Sequence, residues 1–211
     1  MDRFLKRVVH REDAIKAWFG AKDIGAIHSA IQSLLVALPE DEIFEGFVSG
    51  FSRMFEYCGN NPSVIAVDFS WYYAGRPTGE ALAYGYEEFK TKGTLSKTDL
   101  GPKDIPGVEI KSEPGDMAAE YFAAIPVHRA LNEWTKLKPE IDKLLADNEN
   151  YGDAILLLDE IVNLWNYRIA VNAVTHAAQS LGVASSARQR LAWVVMTPHE
   201  RNSVAIFTLK Q

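Results

Sequence analysis

Arg168, Asn172 and His176 recur every four residues in the segment 151–181, a spacing that stacks them along one line of a helix. Histidine titrates near neutrality, so His176 could act there as a general base with Asn172 and Arg168 as polar partners one and two turns away. The stripe leading to them is apolar: Ile155, Leu158, Val162, Trp165 and Ile169 follow the helical period, and the line turns polar only at its end. On this reading the chain is a small enzyme. A histidine and an asparagine satisfied by backbone or by water at a helix end account for the same pattern without catalysis.

Other residues capable of chemistry are less organised. Asp159, Glu160 and Asn163 sit on the flank of the same helix, where neighbouring positions point about 100° apart, so a solvated face is expected rather than a shared ligand. The five histidines, His10, His28, His128, His176 and His199, fall on separate segments without HExxH, ExxH or CxxC spacing; neither a metal nor a cofactor is expected. "GFVSGFS" lacks the nucleophile-elbow spacing, and "YAGRPTGEA" resembles a phosphate loop only in its two glycines. Cys58 stands beside Gly59 near an expected helix carboxyl end, where the dipole raises a thiol pKa, so a structural role is expected.

The stretch "SWYYAGRPTGEALAYGYEEF", residues 70–89, gathers six aromatic residues around Arg76, Pro77, Thr78 and Gly79. From Ser63 the apolar period is two, the period of a strand, with Ile65, Val67, Phe69, Trp71 and Tyr73 on one face. A four-residue turn at RPTG sets Trp71 opposite Tyr84 and Phe69 opposite Tyr86; a loop one residue shorter sets the rings against Asp68 and Ser70. The first register is preferred because it gives one face a consistent chemistry. Rings left over from core packing, Trp71, Tyr72, Tyr84 and Tyr86, with Arg76 at the turn, then form the candidate partner-binding surface.

The elements that must position these residues follow from the same periods. Ile24, Ile27, Ile31, Leu34, Leu35 and Leu38 mark a helix that Pro39 ends, and Phe44, Phe47 or Val48, Phe51 and Phe55 mark another from about Asp41 to Tyr57. The lysine-, glycine- and proline-rich stretch 90–113 reads as a mobile loop. Two long helices are expected at 116–146, kinked or divided at Pro126 and Pro139, and at 151–181. "RLAWVVMTPHERNSVAIFTLK" reads as a second hairpin. The expected fold is a single α+β domain over 1–211. It has a helical amino-terminal third, and its two hairpins join into one antiparallel sheet covered by the two long helices.

Composition limits the function classes. Acidic residues exceed basic ones by 28 to 22, giving a net charge of −6, which disfavours nucleic acid as a partner. A single cysteine and the lack of a signal-like or membrane-spanning run point to a cytoplasmic protein. Residues 1–11, MDRFLKRVVHR, alternate basic and apolar positions, a pattern for touching an acidic partner or a membrane surface, or for docking as an ordinary terminal helix. With no catalytic set emerging, the favoured reading is a non-enzymatic interaction or assembly protein that binds a protein partner or itself as a homo-oligomer. The alternative is a small enzyme using His176.

Overall fold

A computed structural model describes residues 2–71, 80–91, 112–183, 190–198 and 203–209. Three helices come first, α1 (Asp2–Ala21), α2 (Gly25–Val36) and α3 (Glu40–Asn60), followed by strands β1 (Ala66–Trp71), β2 (Ala81–Tyr86), β3 (Phe89–Thr91), β4 (Ser112–Pro114) and β5 (Met117–Ile125). Helices α4 (His128–Leu145) and α5 (Tyr151–Ser180) precede the closing hairpin of β6 (Trp193–Pro198) and β7 (Val204–Thr208). Five strands form a mixed sheet in the order β5-β2-β1-β6-β7, and β3 pairs with β4 in a separate two-stranded ladder. The α+β class expected from the sequence is present. The two hairpins do join in one sheet, but through a parallel pairing of β1 with β6 rather than an antiparallel one.

The expected helix at 116–146 begins only at His128; residues 117–125 are instead the edge strand β5, paired antiparallel with β2. Helix propensity favours the alanines of "MAAEYFAAI", but propensity is worth only tenths of a kcal/mol per residue and a vacant sheet edge outweighs it. Pro126 marks the boundary, whereas Pro139 is carried inside α4. The expected loop at 90–113 is ordered at its ends, where Lys90 pairs with Glu113 and Thr91 with Ser112; residues 92–111 lie outside the described residues.

Helix α5 is the centre of the molecule. Nineteen of its thirty residues are buried, on every side of the helix, as befits one apolar all round. Helices α3 and α5 cover one face of the sheet, and α1, α2 and α4 pack against the far side of α5. The second long cover of the sheet is thus α3, not α4. Burial on all sides reverses the expectation of a solvated flank at Asp159, Glu160 and Asn163. Glu160 and Asn163 are buried, and Asp159 accepts a hydrogen bond from Trp134 Nε1 at 2.5 Å.

Arg11 is fully buried and reaches Glu160 with two parallel bonds, Nε to Oε1 and Nη2 to Oε2, both 2.6 Å. The amino-terminal segment is therefore a docked helix that inserts one of its basic residues into the core. Val8, Arg11, Ile15 and Phe19 face inward, while Lys6, Val9 and His10 are exposed.

Close approach fixes the sheet against α3. A Cβ on Gly50 would lie 2.2 Å from the Ala124 carbonyl oxygen, and one on Gly46 would lie 2.8 Å from Pro126 Cγ. Phe47, Phe51, Met54 and Phe55 of α3 are buried, and Phe51 meets Phe69 edge-on at 5.3 Å. With these side chains filling the layer, the facing positions of β2 must be small: Ala81, Ala83 and Gly85 point inward and are buried.

Substitutions at Gly50, Gly152 and Arg11 test these features of the fold. Gly50→Ala should destabilise the protein by about 1–3 kcal/mol or more in urea melts, because backbone must shift to admit the methyl. Gly152→Ala, with nothing within 4 Å of the added carbon, should be neutral or stabilise by roughly 0.5–1 kcal/mol. Arg11→Met alone should cost about 3–5 kcal/mol by stranding the Glu160 carboxylate, whereas the double variant Arg11→Met, Glu160→Leu should recover most of that loss. A double variant no more stable than the single one would contradict this account of the pair.

Candidate functional site

Asn172 and His176 are exposed on α5. His176 meets Phe44 of α3 edge-on at 5.9 Å, and Arg168, half-buried, lies 3.8 Å from Glu12 Oε2. Burial, with the Asp13 charge, raises the Glu12 pKa above its ordinary value, and Arg168 opposes the rise. The three residues do share one line of α5, but the histidine and asparagine at its end look outward. A groove of about 290 Å³ lies beside the edge strand β7, lined by Phe4, Thr175 and residues 205–208, and no titratable side chain among the described residues lines it. Cys58 is buried, and burial pushes its thiol up to about 12; the direction expected from the helix end is found, with desolvation as its cause.

The aromatic residues of 70–89 divide between two faces. The ladder pairs Ala66 with Tyr86, Asp68 with Tyr84 and Ser70 with Leu82, which overturns the expected pairing of Trp71 with Tyr84 and Phe69 with Tyr86. Phe69 and Trp71 face the helices; Trp71 is 2% exposed and meets Tyr167 of α5 at 6.4 Å. Tyr84 and Tyr86 stand on the outer face, half-buried. The reason is volume. The helix layer already holds the rings of α3, so the large residues of β2 go outward and the small ones inward. Tyr72 and Arg76 lie outside the described residues.

Around Tyr84 and Tyr86 the outer face carries more rings than the sequence foretold. Tyr121, in the segment read as helix, sits at an irregularity of β5 with φ +56°, is 58% exposed and meets Tyr84 at 5.3 Å. A left-handed backbone costs a non-glycine residue about 1–2 kcal/mol, and here it turns a tyrosine outward while the next residue, Phe122, stacks on Tyr57 of α3 at 4.2 Å. Trp193 of β6, paired with Ala66, meets Phe89 at 5.9 Å.

At the centre of this face is Asp68, flanked in the sheet by Tyr84 on β2 and Val195 on β6. Oδ2 accepts a hydrogen bond from Ser70 Oγ at 3.0 Å, while Oδ1 is shielded from solvent and has no hydrogen-bond partner among the described residues. Thr197 stands close by, its hydroxyl donating to Ser203 Oγ at 2.9 Å and near enough to act on the Asp68 carboxylate. Burial raises the Asp68 pKa from 3.8 to about 6, against the pull of the Thr197 and Ser70 hydroxyls. Burial and then the charges of Asp68 and Glu120 raise the Tyr86 phenol in turn. The sequence signal for this site was a lone acid in the strand "AVDFSW". Reading it needed the register, since Asp68 acquires its neighbours only when Tyr84 and Tyr86 share its face.

Among the described residues no three His, Cys, Asp or Glu side chains converge on a common point, and no helix is long and apolar enough to cross a membrane. No protein-family model matches the chain, nor does any curated protein or solved structure.

The raised pKa of Asp68 gives a pH dependence of known sign. Between about pH 4 and pH 6 the folded chain holds a proton that the unfolded chain has released, so stability falls as pH rises through this window. The loss attributable to Asp68 is about 3 kcal/mol. Urea melts of wild type and Asp68→Asn at pH 4, 5, 6 and 7 should diverge steadily across the window, with the variant the more stable at pH 7. Parallel curves would refute the assignment.

Proposed function

We propose that the protein is an interaction module that holds a protein partner on the outer face of its sheet. The observation that carries this reading is Tyr121, a tyrosine left 58% exposed in a strained backbone conformation with its ring against Tyr84. Strain of this kind persists where surrounding structure enforces it, and it clusters where a side chain is aimed for use. Tyrosine also suits the task, because it presents a large amphipathic surface at little cost in conformational entropy. Tyr84, Tyr86, Trp193 and Phe89 extend the surface across β2, β6 and β3. Of the residues read from the sequence as partner-binding, Tyr84 and Tyr86 belong to this surface, whereas Trp71 supports it from the helix side.

Catalysis by His176 is the weaker reading, since a general base works best in an enclosed site and His176 is exposed. Selection of a random peptide library displayed on phage tests the interaction reading. Peptides recovered on wild type should lose at least tenfold in affinity for a folded Tyr84→Ala, Tyr121→Ala variant, as two central tyrosines of an interface warrant. Recovered peptides that bind the variant as well as wild type would overturn it.

A further inference from the structure

Asp68 is a shielded acid at the centre of a surface rich in rings and hydroxyls. Its Oδ1 is out of solvent and unpartnered among the described residues, and its Oδ2 is already committed to Ser70. A buried acceptor without a donor is costly to keep, and a buried carboxylate without a cation is costlier still. The causes that set its ionisation are burial and two hydroxyls; no positive charge among the described residues offsets it. The side chains facing it are Tyr84 and Tyr86 of β2, Thr197 of β6 and, through Thr197, Ser203; the Glu120 carboxylate of β5 lies near enough to act on Tyr86. All of these are neutral or negative at neutral pH, and two are tyrosine rings, whose faces attract cations.

We propose that Asp68 is the anchor point of the outer face and that the group it takes is a primary ammonium, the end of a lysine side chain presented by the partner. The inference rests on the reading of the outer face given above and specifies its chemistry. Ammonium is favoured over guanidinium by the number of acceptors. Only one carboxylate oxygen is unengaged, which suits a compact point charge, whereas a planar guanidinium fork binds best to two parallel oxygens. A lysine stem is also long and apolar enough to lie between half-buried tyrosines while its head reaches the carboxylate.

The test uses n-butylammonium chloride, a mimic of the lysine side chain, titrated at pH 7.5 into the whole protein and into Asp68→Asn, with amide resonances followed by NMR. n-Butanol and n-butylguanidinium at matched ionic strength serve as controls. The expected result is saturable shifts at residues 68, 70, 84, 86 and 197 in wild type with n-butylammonium, weaker ones with n-butylguanidinium, and none with n-butanol or in Asp68→Asn. Shifts that persist in Asp68→Asn, that do not saturate, or that favour n-butylguanidinium would overturn the assignment.

Peptides recovered by selection on wild type give a second readout. Replacing their lysine by norleucine should weaken binding roughly tenfold or more. Peptides that need Tyr84 and Tyr121 but neither a lysine nor Asp68 would overturn the ammonium assignment and leave the interaction reading standing. Peptides indifferent to Tyr84 and Tyr121 would remove that reading itself.

Discussion

A helix buried on every side can hold a charge only if another charge comes to meet it, and α5 holds Glu160. The carboxylate is 4% exposed and receives the guanidinium of Arg11 at two 2.6 Å bonds. Desolvating either ion alone costs several kcal/mol, so the arrangement tolerates neither a missing partner nor a slipped one. This requirement fixes more than two residues. It sets the rotation of α1 about its axis, which in turn buries Val8, Ile15 and Phe19 on the same side as Arg11 and gives α2 a surface to pack on. An apolar pair could supply comparable stability. Two directional bonds supply register as well.

On the opposite side of α5, sterics take over from electrostatics. Helix α3 brings Gly50 against the β5 backbone at Ala124, Gly46 against the Pro126 ring and Phe51 onto Phe69 of β1. The layer between helices and sheet is therefore full, and the volume available to each strand differs. β1 contributes Phe69 and Trp71 inward, while β2 contributes only Ala81, Ala83 and Gly85. The tyrosines of β2 face outward as a consequence of this filling. The aromatic outer face thus has its origin in the packing of the inner one.

Asp68 stands in tension with that packing. A carboxylate between central strands, raised to about 6 by burial, is stabler protonated than ionised, so at neutral pH it works against the fold. Residues that cost stability and are surrounded by rings and hydroxyls are where binding energy can be recovered, because a ligand that neutralises the charge relieves a penalty already present. Tyr121 follows the same logic in its backbone. Both departures from good packing lie on one face, and the helix-covered face has no left-handed residue of its own among the described strands.

The periods of the sequence determined the helices at α1, α2, α3 and α5, the strands β1 and β2, the closing hairpin and the α+β class, because burial of one face imposes a period of 3.6 or 2 on any chain that folds this way. Period is a local property, and what it left open is non-local. Whether "MAAEYFAAI" is helix or strand depends on a vacant edge beside β2. Whether β1 meets β6 parallel or antiparallel depends on the path through α4 and α5, and whether Glu160 is solvated depends on what covers the far side of α5. Register was the costliest of these. A shift of an odd number of residues exchanges the two faces of a strand, and the preferred pairing of Trp71 with Tyr84 placed all the rings together. The observed pairing of Asp68 with Tyr84 put the acid among the tyrosines instead. The sequence by itself supplied the rings and the lone acid; only the tertiary structure, through the volume α3 occupies, decided that they share a face.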